Sequence, residues 1–92
     1  MGVRENEVER YLDEQVRKIG GITRKWENRH HAGVPDRIVI LPNIIVFVEV
    51  KTENGKLSKL QEREHKRLRE AGANVGVVYG KLSVDDFIAE CL

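Results

Sequence analysis

Glu49 stands where strand physics gives it no reason to be. The run Ile44 to Val50 (IIVFVEV) is apolar at six of seven positions, and Glu49 is the exception. Lys51 follows two residues later, and alternation along a strand puts Glu49 and Lys51 on the same side as Ile45 and Phe47. A carboxylate inside such a run is costly unless it is paired or bound to a metal. Upstream, Pro35-Asp36 opens another β-branched run, and a hairpin between the two runs brings Asp36 near Glu49. Two convergent carboxylates suit a hard divalent cation that keeps several of its waters. Such a cation polarises a phosphate oxygen and acidifies a water, while an ammonium beside it orients the attacking water and offsets charge on the phosphorane. Asp36, Glu49 and Lys51 therefore provide what phosphodiester hydrolysis needs. The structural alternative is an ordinary Glu49–Lys51 ion pair at a strand end, with Asp36 as a turn residue after proline. The position of all three at the ends of adjacent apolar strands favours the chemical reading.

The elements that must position these groups are legible in outline. Val8, Leu12, Val16 and Ile19 recur at helical spacing and predict a helix from about Glu5 to Ile19, stopped by Gly20-Gly21. Ile22 to Trp26 is a candidate short strand, and Asn28 to Val34 (NRHHAGV) reads as a polar loop. Arg37 to Leu41 and Ile44 to Lys51 read as strands joined through Pro42-Asn43. After the loop Thr52 to Lys56, a second helix is expected from about Ser58 to Glu70, ended by Gly72, with its stripe on Leu57, Leu60, Leu68 and Ala71. A strand over Asn74 to Tyr79 and a short last helix over Ser83 to Glu90, capped by Ser83, complete the chain. The order αβββαβ with a short C-terminal helix predicts an α/β fold, a mixed β-sheet flanked by helices.

The totals restrict the function classes. A chain of 92 residues, 40% hydrophobic, supports a single domain over 1–92 and gains from association with a second copy. Sixteen basic against fifteen acidic side chains give no global attraction to nucleic acid, so any basic surface must be local. One cysteine, Cys91, cannot form an internal disulfide or a cysteine-based zinc site, which fits a reducing cytoplasm. The N-terminus is charged where a signal peptide is apolar, and no run is long enough for a membrane span, so no membrane is expected.

Beyond the catalytic triplet, several stretches resemble the PD-(D/E)xK nuclease superfamily and, within it, the small stand-alone VRR-NUC domains of phage-type proteins. They are Val8-Glu9-Arg10-Tyr11-Leu12 with Gly20-Gly21, Gly33-Val34-Pro35-Asp36-Arg37, Phe47-Val48-Glu49-Val50-Lys51, and Leu57-Ser58-Lys59-Leu60-Gln61-Glu62. The resemblance covers nearly the whole chain in order. It implies a restriction-endonuclease-like core, Mg²⁺ or Mn²⁺ as cofactor, Asp36 and Glu49 as metal ligands and Lys51 as the catalytic lysine. It further implies a metal contact from the Val50 carbonyl, a supporting role for Glu9 at the metal or its water, and one for Gln61. Relatives of this kind resemble structure-selective DNA endonucleases, including dimeric resolvases of four-way (Holliday) junctions. The setting implied is the cytoplasm of a bacterial or phage-infected host cell.

Some of these residues have rival explanations. Glu9 is one of five acidic residues among the first fourteen, most of them a solvated face, and Glu5 one turn earlier is the alternative helical acid. Ser58-x-x-Gln61 fits a capping box, which would occupy Gln61 structurally. Glu64 has no firm assignment beyond contact with some basic group. Trp26 reads as core, and His65 as a surface or groove residue. Adjacent His30 and His31 point apart on an extended chain, and with Arg29 they suggest a basic loop near the scissile phosphate. Residues 56 to 69 carry six Lys or Arg against two Glu, Lys56, Lys59 and Arg63 among them. Arg24, Lys25, Arg29 and Arg37 form a second basic group, and both groups are candidates for salt-dependent phosphate contacts. The alternative is a solvated helix face with Glu–Arg pairs. The expectation is a metal-dependent endonuclease acting on DNA, branched for preference, as a homodimer; the rivals are a flap, nick or duplex-end nuclease, a non-catalytic DNA-binding module, and a phage structural subunit.

Overall fold

Three valines and leucines spaced by one helical turn fix the first element of the computed structural model, which describes residues 3–92. Helix α1 (Glu5–Lys18) buries Val8, Leu12 and Val16 completely, and its charges suit its dipole, with Glu5 and Glu7 in the first turn and Arg17 and Lys18 in the last. Strands β1 (Ile22–Lys25), β2 (Arg37–Leu41) and β3 (Ile44–Lys51) pair antiparallel in sequence order. Leu41 pairs with Ile44, so Pro42-Asn43 is the two-residue connection of the expected hairpin. Helix α2 (Lys59–Glu70) is the crossover that returns β4 (Val75–Tyr79) parallel to β3. Helix α3 (Lys81–Cys91) closes the chain, and the sheet order is β1-β2-β3-β4. The mixed sheet with flanking helices is the α/β arrangement read from the sequence.

The two sheet faces differ in chemistry. Val39, Leu41, Val46, Val48, Val50 and Val78 point toward α1 and α3 and make one apolar core with Val8, Leu12, Val16 and Val84. The opposite face, served by α2, carries Phe47, Glu49 and Lys51. It is not fully covered, contrary to what the apolar run in β3 implies, since Ile45 is 50% exposed. Beside it Ile40 and Ile22, cross-strand neighbours in register, are exposed as well. The reason lies in α2, whose inward stripe is Gln61, Glu64, His65 and Leu68 rather than the stripe through Leu60, itself 55% exposed. A polar helix face cannot be drawn over isoleucines and packs instead at the Glu49 end of the sheet.

The last helix begins earlier than expected. Gly80, with φ 85°, turns the chain directly from β4 into α3, and the Val84 amide donates to the Gly80 carbonyl. Ser83 therefore lies inside the first turn and is not the cap. Strand β1 ends at Lys25, and Trp26 continues the pairing by one bond from its amide to the Asp36 carbonyl at 3.0 Å. Its ring is 5.0 Å from that of Phe47, tilted by 50°, on the α2 face.

Candidate active site

Strand register brings the acidic groups together. Arg37 pairs with Val48, so the next positions of the ladder, Asp36 and Glu49, stand opposite each other and face α2. The Asp36 carboxylate accepts the Val50 amide hydrogen at 2.7 Å, which continues the ladder through a side chain and fixes the carboxylate at the strand end. Its charge lies within hydrogen-bonding reach of Glu49, which is 1% exposed. Burial first, and then Asp36, push the Glu49 carboxyl up to about 8, against a partial opposing effect of Lys51. Lys51 Nζ stands 3.8 Å from Glu49 Oε2. Glu49 therefore gives up its proton less readily than an exposed carboxyl does. Asp36 and Glu49 would hold a divalent cation, whose charge would offset theirs. The Glu49 Oε1 atom, buried and without a hydrogen-bond partner among the described residues, has two lone pairs, one of which could take a cation. No group of three or more His, Cys, Asp or Glu disposed around a metal exists among the described residues, and Asp36 and Glu49 are the carboxylates that would hold one. One or two carboxylates plus waters is the form in which Mg²⁺ is ordinarily held.

Helix α2 meets Glu49 through Gln61, a residue that also caps the helix. Gln61 Oε1 accepts from the Ser58 amide at 2.9 Å while the Gln61 amide donates to Ser58 Oγ at 3.1 Å, completing a capping box. Using the oxygen in the cap leaves Nε2 free to donate to Glu49 Oε2, at 3.1 Å. Gln61→Glu keeps the capping oxygen but sets a carboxylate against Glu49. We expect its melting temperature to stay close to the parent with Mn²⁺ absent only at low pH, and its turnover to fall about a hundredfold, as read from initial cleavage rates.

Other residues expected at the site are placed differently. Arg37, one position from Asp36, points to the other sheet face, where it meets Glu9 Oε2 at 3.5 Å and Asp13 at 3.2 Å. Only 15% exposed, its side chain is engaged by α1 rather than offered to a phosphate. Glu9 is correspondingly held by Arg37 and does not complete a three-carboxylate cluster. Burial, offset in part by Arg37, raises its pKa, and Asp36 adds to the rise. Glu5, the alternative acid, is exposed and close enough to act on Glu49. The Val50 side chain belongs to the core, and its amide is spent on Asp36.

The loop before Asp36 is drawn onto α2. Gly33, at φ 90°, approaches so closely that a Cβ would lie 2.7 Å from the Leu60 carbonyl oxygen. His31 Nε2 reaches Glu64 Oε1 at 2.7 Å, which gives Glu64 the basic partner the sequence left unnamed. His30 remains exposed, as do Arg24, Lys25, Arg29, Lys56, Lys59 and Arg63. Lys25 is loosely paired with Glu27 at 3.8 Å, and Arg24 donates to the Thr23 carbonyl at 2.8 Å. The sequence reading of His65 as a surface or groove residue is overturned. The residue is completely buried, with Nε2 3.4 Å from Glu49 Oε1, and burial together with Arg69 lowers its pKa. The available signal was its spacing of one helical turn from Gln61.

Comparison with known proteins agrees with this fold. The VRR-NUC domain model matches residues 3–82. A protein of Acyrthosiphon pisum secondary endosymbiont phage 1, named "Putative nuclease p44", is 47% identical over 77 residues, covering 83% of each chain. A solved structure described as a VRR_NUC domain superposes with a TM-score of 0.88 at 43% identity, covering 96% of this chain and 97% of the other. A second, described as a VRR_NUC domain protein, shares the fold at 21% identity, with a TM-score of 0.74 over 97% of this chain and 88% of the other. Family match and relative both support a nuclease. Among the described residues no helix is long and apolar enough to cross a membrane. The chain belongs to the VRR-NUC domain family.

Proposed function

We propose that the chain is a Mg²⁺- or Mn²⁺-dependent DNA endonuclease, selective for DNA structure, with four-way junctions as its leading substrate. The observation that carries the reading is the Asp36–Glu49 pair, two carboxylates in mutual reach with Lys51 alongside. Asp36 and Glu49 would hold the cation, which supplies electrophilic polarisation of the scissile phosphate and a more acidic water. Lys51 orients the nucleophilic water and offsets the negative charge that builds on the phosphorane. Gln61 anchors one oxygen of the Glu49 carboxylate, and the α2 helix keeps bulk water from its buried side. Exposed Arg24, Lys25, Arg29, Lys56, Lys59 and Arg63 supply phosphate contacts without base readout, which favours recognition of shape.

Labelled four-way junction, flap, nicked and linear duplexes, each incubated with Mg²⁺, Mn²⁺ or EDTA, test the reading. Metal-dependent cutting with the junction preferred supports it. Preference for flaps, nicks or ends replaces the substrate, and binding without cutting under any metal makes the chain a DNA-binding module.

Symmetric cutting of a junction needs two sites, and one chain carries one. A homodimer supplies both. What supports it is the row Ile22, Ile40 and Ile45, side by side across β1, β2 and β3 and exposed by 47%, 36% and 50%. Ile45→Asp is expected to shift sedimentation from dimer to monomer and to uncouple the two incisions of a junction. An unchanged dimer would remove this face from the interface.

A further inference from the structure

Glu49 has two oxygens, and α2 approaches both. Gln61 donates to Oε2, and one helical turn further along the same helix face His65 presents Nε2 to Oε1 at 3.4 Å. His65 has no exposed surface, and neither of its ring nitrogens has a hydrogen-bond partner among the described residues. Glu49 Oε1 is in the same condition. An imidazole buried with both nitrogens unsatisfied is destabilising by an amount that a leucine at this position would avoid. The two unpartnered atoms lie 3.4 Å apart, slightly beyond a formed hydrogen bond, and contacts of this kind tighten when a site is loaded.

We propose that His65 is a positioning residue of the metal site, donating from Nε2 to Glu49 Oε1 so that His65 and Gln61 together hold the carboxylate plane toward Asp36. The proposal rests on the metal-dependent reading above. Gln61 alone leaves the carboxyl group free to swing about its contact at Oε2. A second donor on the other oxygen removes that rotation, and supporting contacts of this type are commonly worth 10–100-fold in metal affinity. Lys51 reaches Oε2 as well, which leaves Oε1 dependent on His65.

The test uses full-length protein and three variants: His65→Phe and His65→Leu, which fill the space without a donor, and His65→Gln, whose Nε2 approximates the lost one. Calorimetric Mn²⁺ titration gives the affinity, melting in EDTA gives the metal-free stability, and junction cleavage gives kcat and KM. Whichever apolar variant melts higher in EDTA is used for the comparison. It is expected to melt no lower than the parent and to bind Mn²⁺ about 10–100-fold more weakly. Its kcat at fixed Mn²⁺ should fall by a similar factor with KM for DNA unchanged, and His65→Gln should recover most of the Mn²⁺ affinity. An apolar variant that binds Mn²⁺ within about twofold of the parent overturns the proposal. So does a loss that His65→Gln does not repair, or one that follows melting temperature across the three variants. A parent protein that does not bind Mn²⁺ at all refutes the metal reading itself, a different result from normal parent binding with an indifferent variant.

Discussion

Asp36→Asn is expected to abolish cleavage while making the metal-free protein harder to melt. The variant keeps an oxygen for the Val50 amide, which Asp36 now accepts at 2.7 Å, so the strand end remains anchored. It exchanges a carboxylate that repels Glu49 for an amide that can donate to it. With the repulsion relieved, the metal-free melting temperature should rise by about 5 °C, the shift produced by about 1 kcal/mol in a domain of this size. Loss of a ligand charge removes a large part of the several kcal/mol a metal contributes to catalysis, so kcat/KM should fall at least about a thousandfold, or about 4 kcal/mol. The parent should also gain stability from saturating Mn²⁺, about 2.7 kcal/mol at a hundredfold excess over its dissociation constant. Asp36→Asn should gain little. Thermal melts with and without Mn²⁺ and single-turnover cleavage check all parts. A variant that melts lower than the parent in EDTA but keeps its cleavage rate and its Mn²⁺ response would mean that Asp36 is a structural cap and nothing more.

Lys51→Met should lower turnover about 10²–10³-fold with metal affinity largely intact. Its ammonium is 3.8 Å from Glu49 and only 14% exposed, and methionine retains the apolar stem that packs there. The magnitude is that of losing one positioned donor to a developing negative charge in a site shielded from water. On the proposed role, in which the group acts on the phosphorane and its water, the deficit should appear in kcat, with Mn²⁺ affinity changed by less than about fivefold. Cleavage rates at saturating Mn²⁺, together with calorimetry, separate the two. Equal losses in binding and turnover would show that Lys51 serves only to neutralise Glu49.

Strands were legible because their residues are chosen by local physics. Valine and isoleucine crowd β2 and β3, and proline with asparagine marks the hairpin. Register then follows from the two-residue turn, and with it the meeting of Asp36 and Glu49. Helix α2 was less legible, for a chemical reason. Its inward stripe of Gln61, Glu64 and His65 is polar because it faces a carboxylate and a histidine-bearing loop, so apolar periodicity points to Leu60, which lies in solvent. Gln61 resisted assignment because its two amide atoms serve separate partners, the cap and Glu49. Arg37 was misplaced among the phosphate contacts since alternation turns it to the α1 face, where Glu9 and Asp13 await it. Sequence pattern could not reveal these ion pairs, which depend on the packing of α1 across the sheet.

The central claim is that the buried carboxylate pair is a metal site for phosphodiester hydrolysis. Its most direct test is the rate of junction cleavage as Mn²⁺ is raised from zero, for the parent and Glu49→Gln side by side. The account predicts no product in EDTA, a saturable rise with Mn²⁺ for the parent, and no rise for Glu49→Gln. Cleavage by the parent in EDTA, or an undiminished rate for Glu49→Gln, would contradict it.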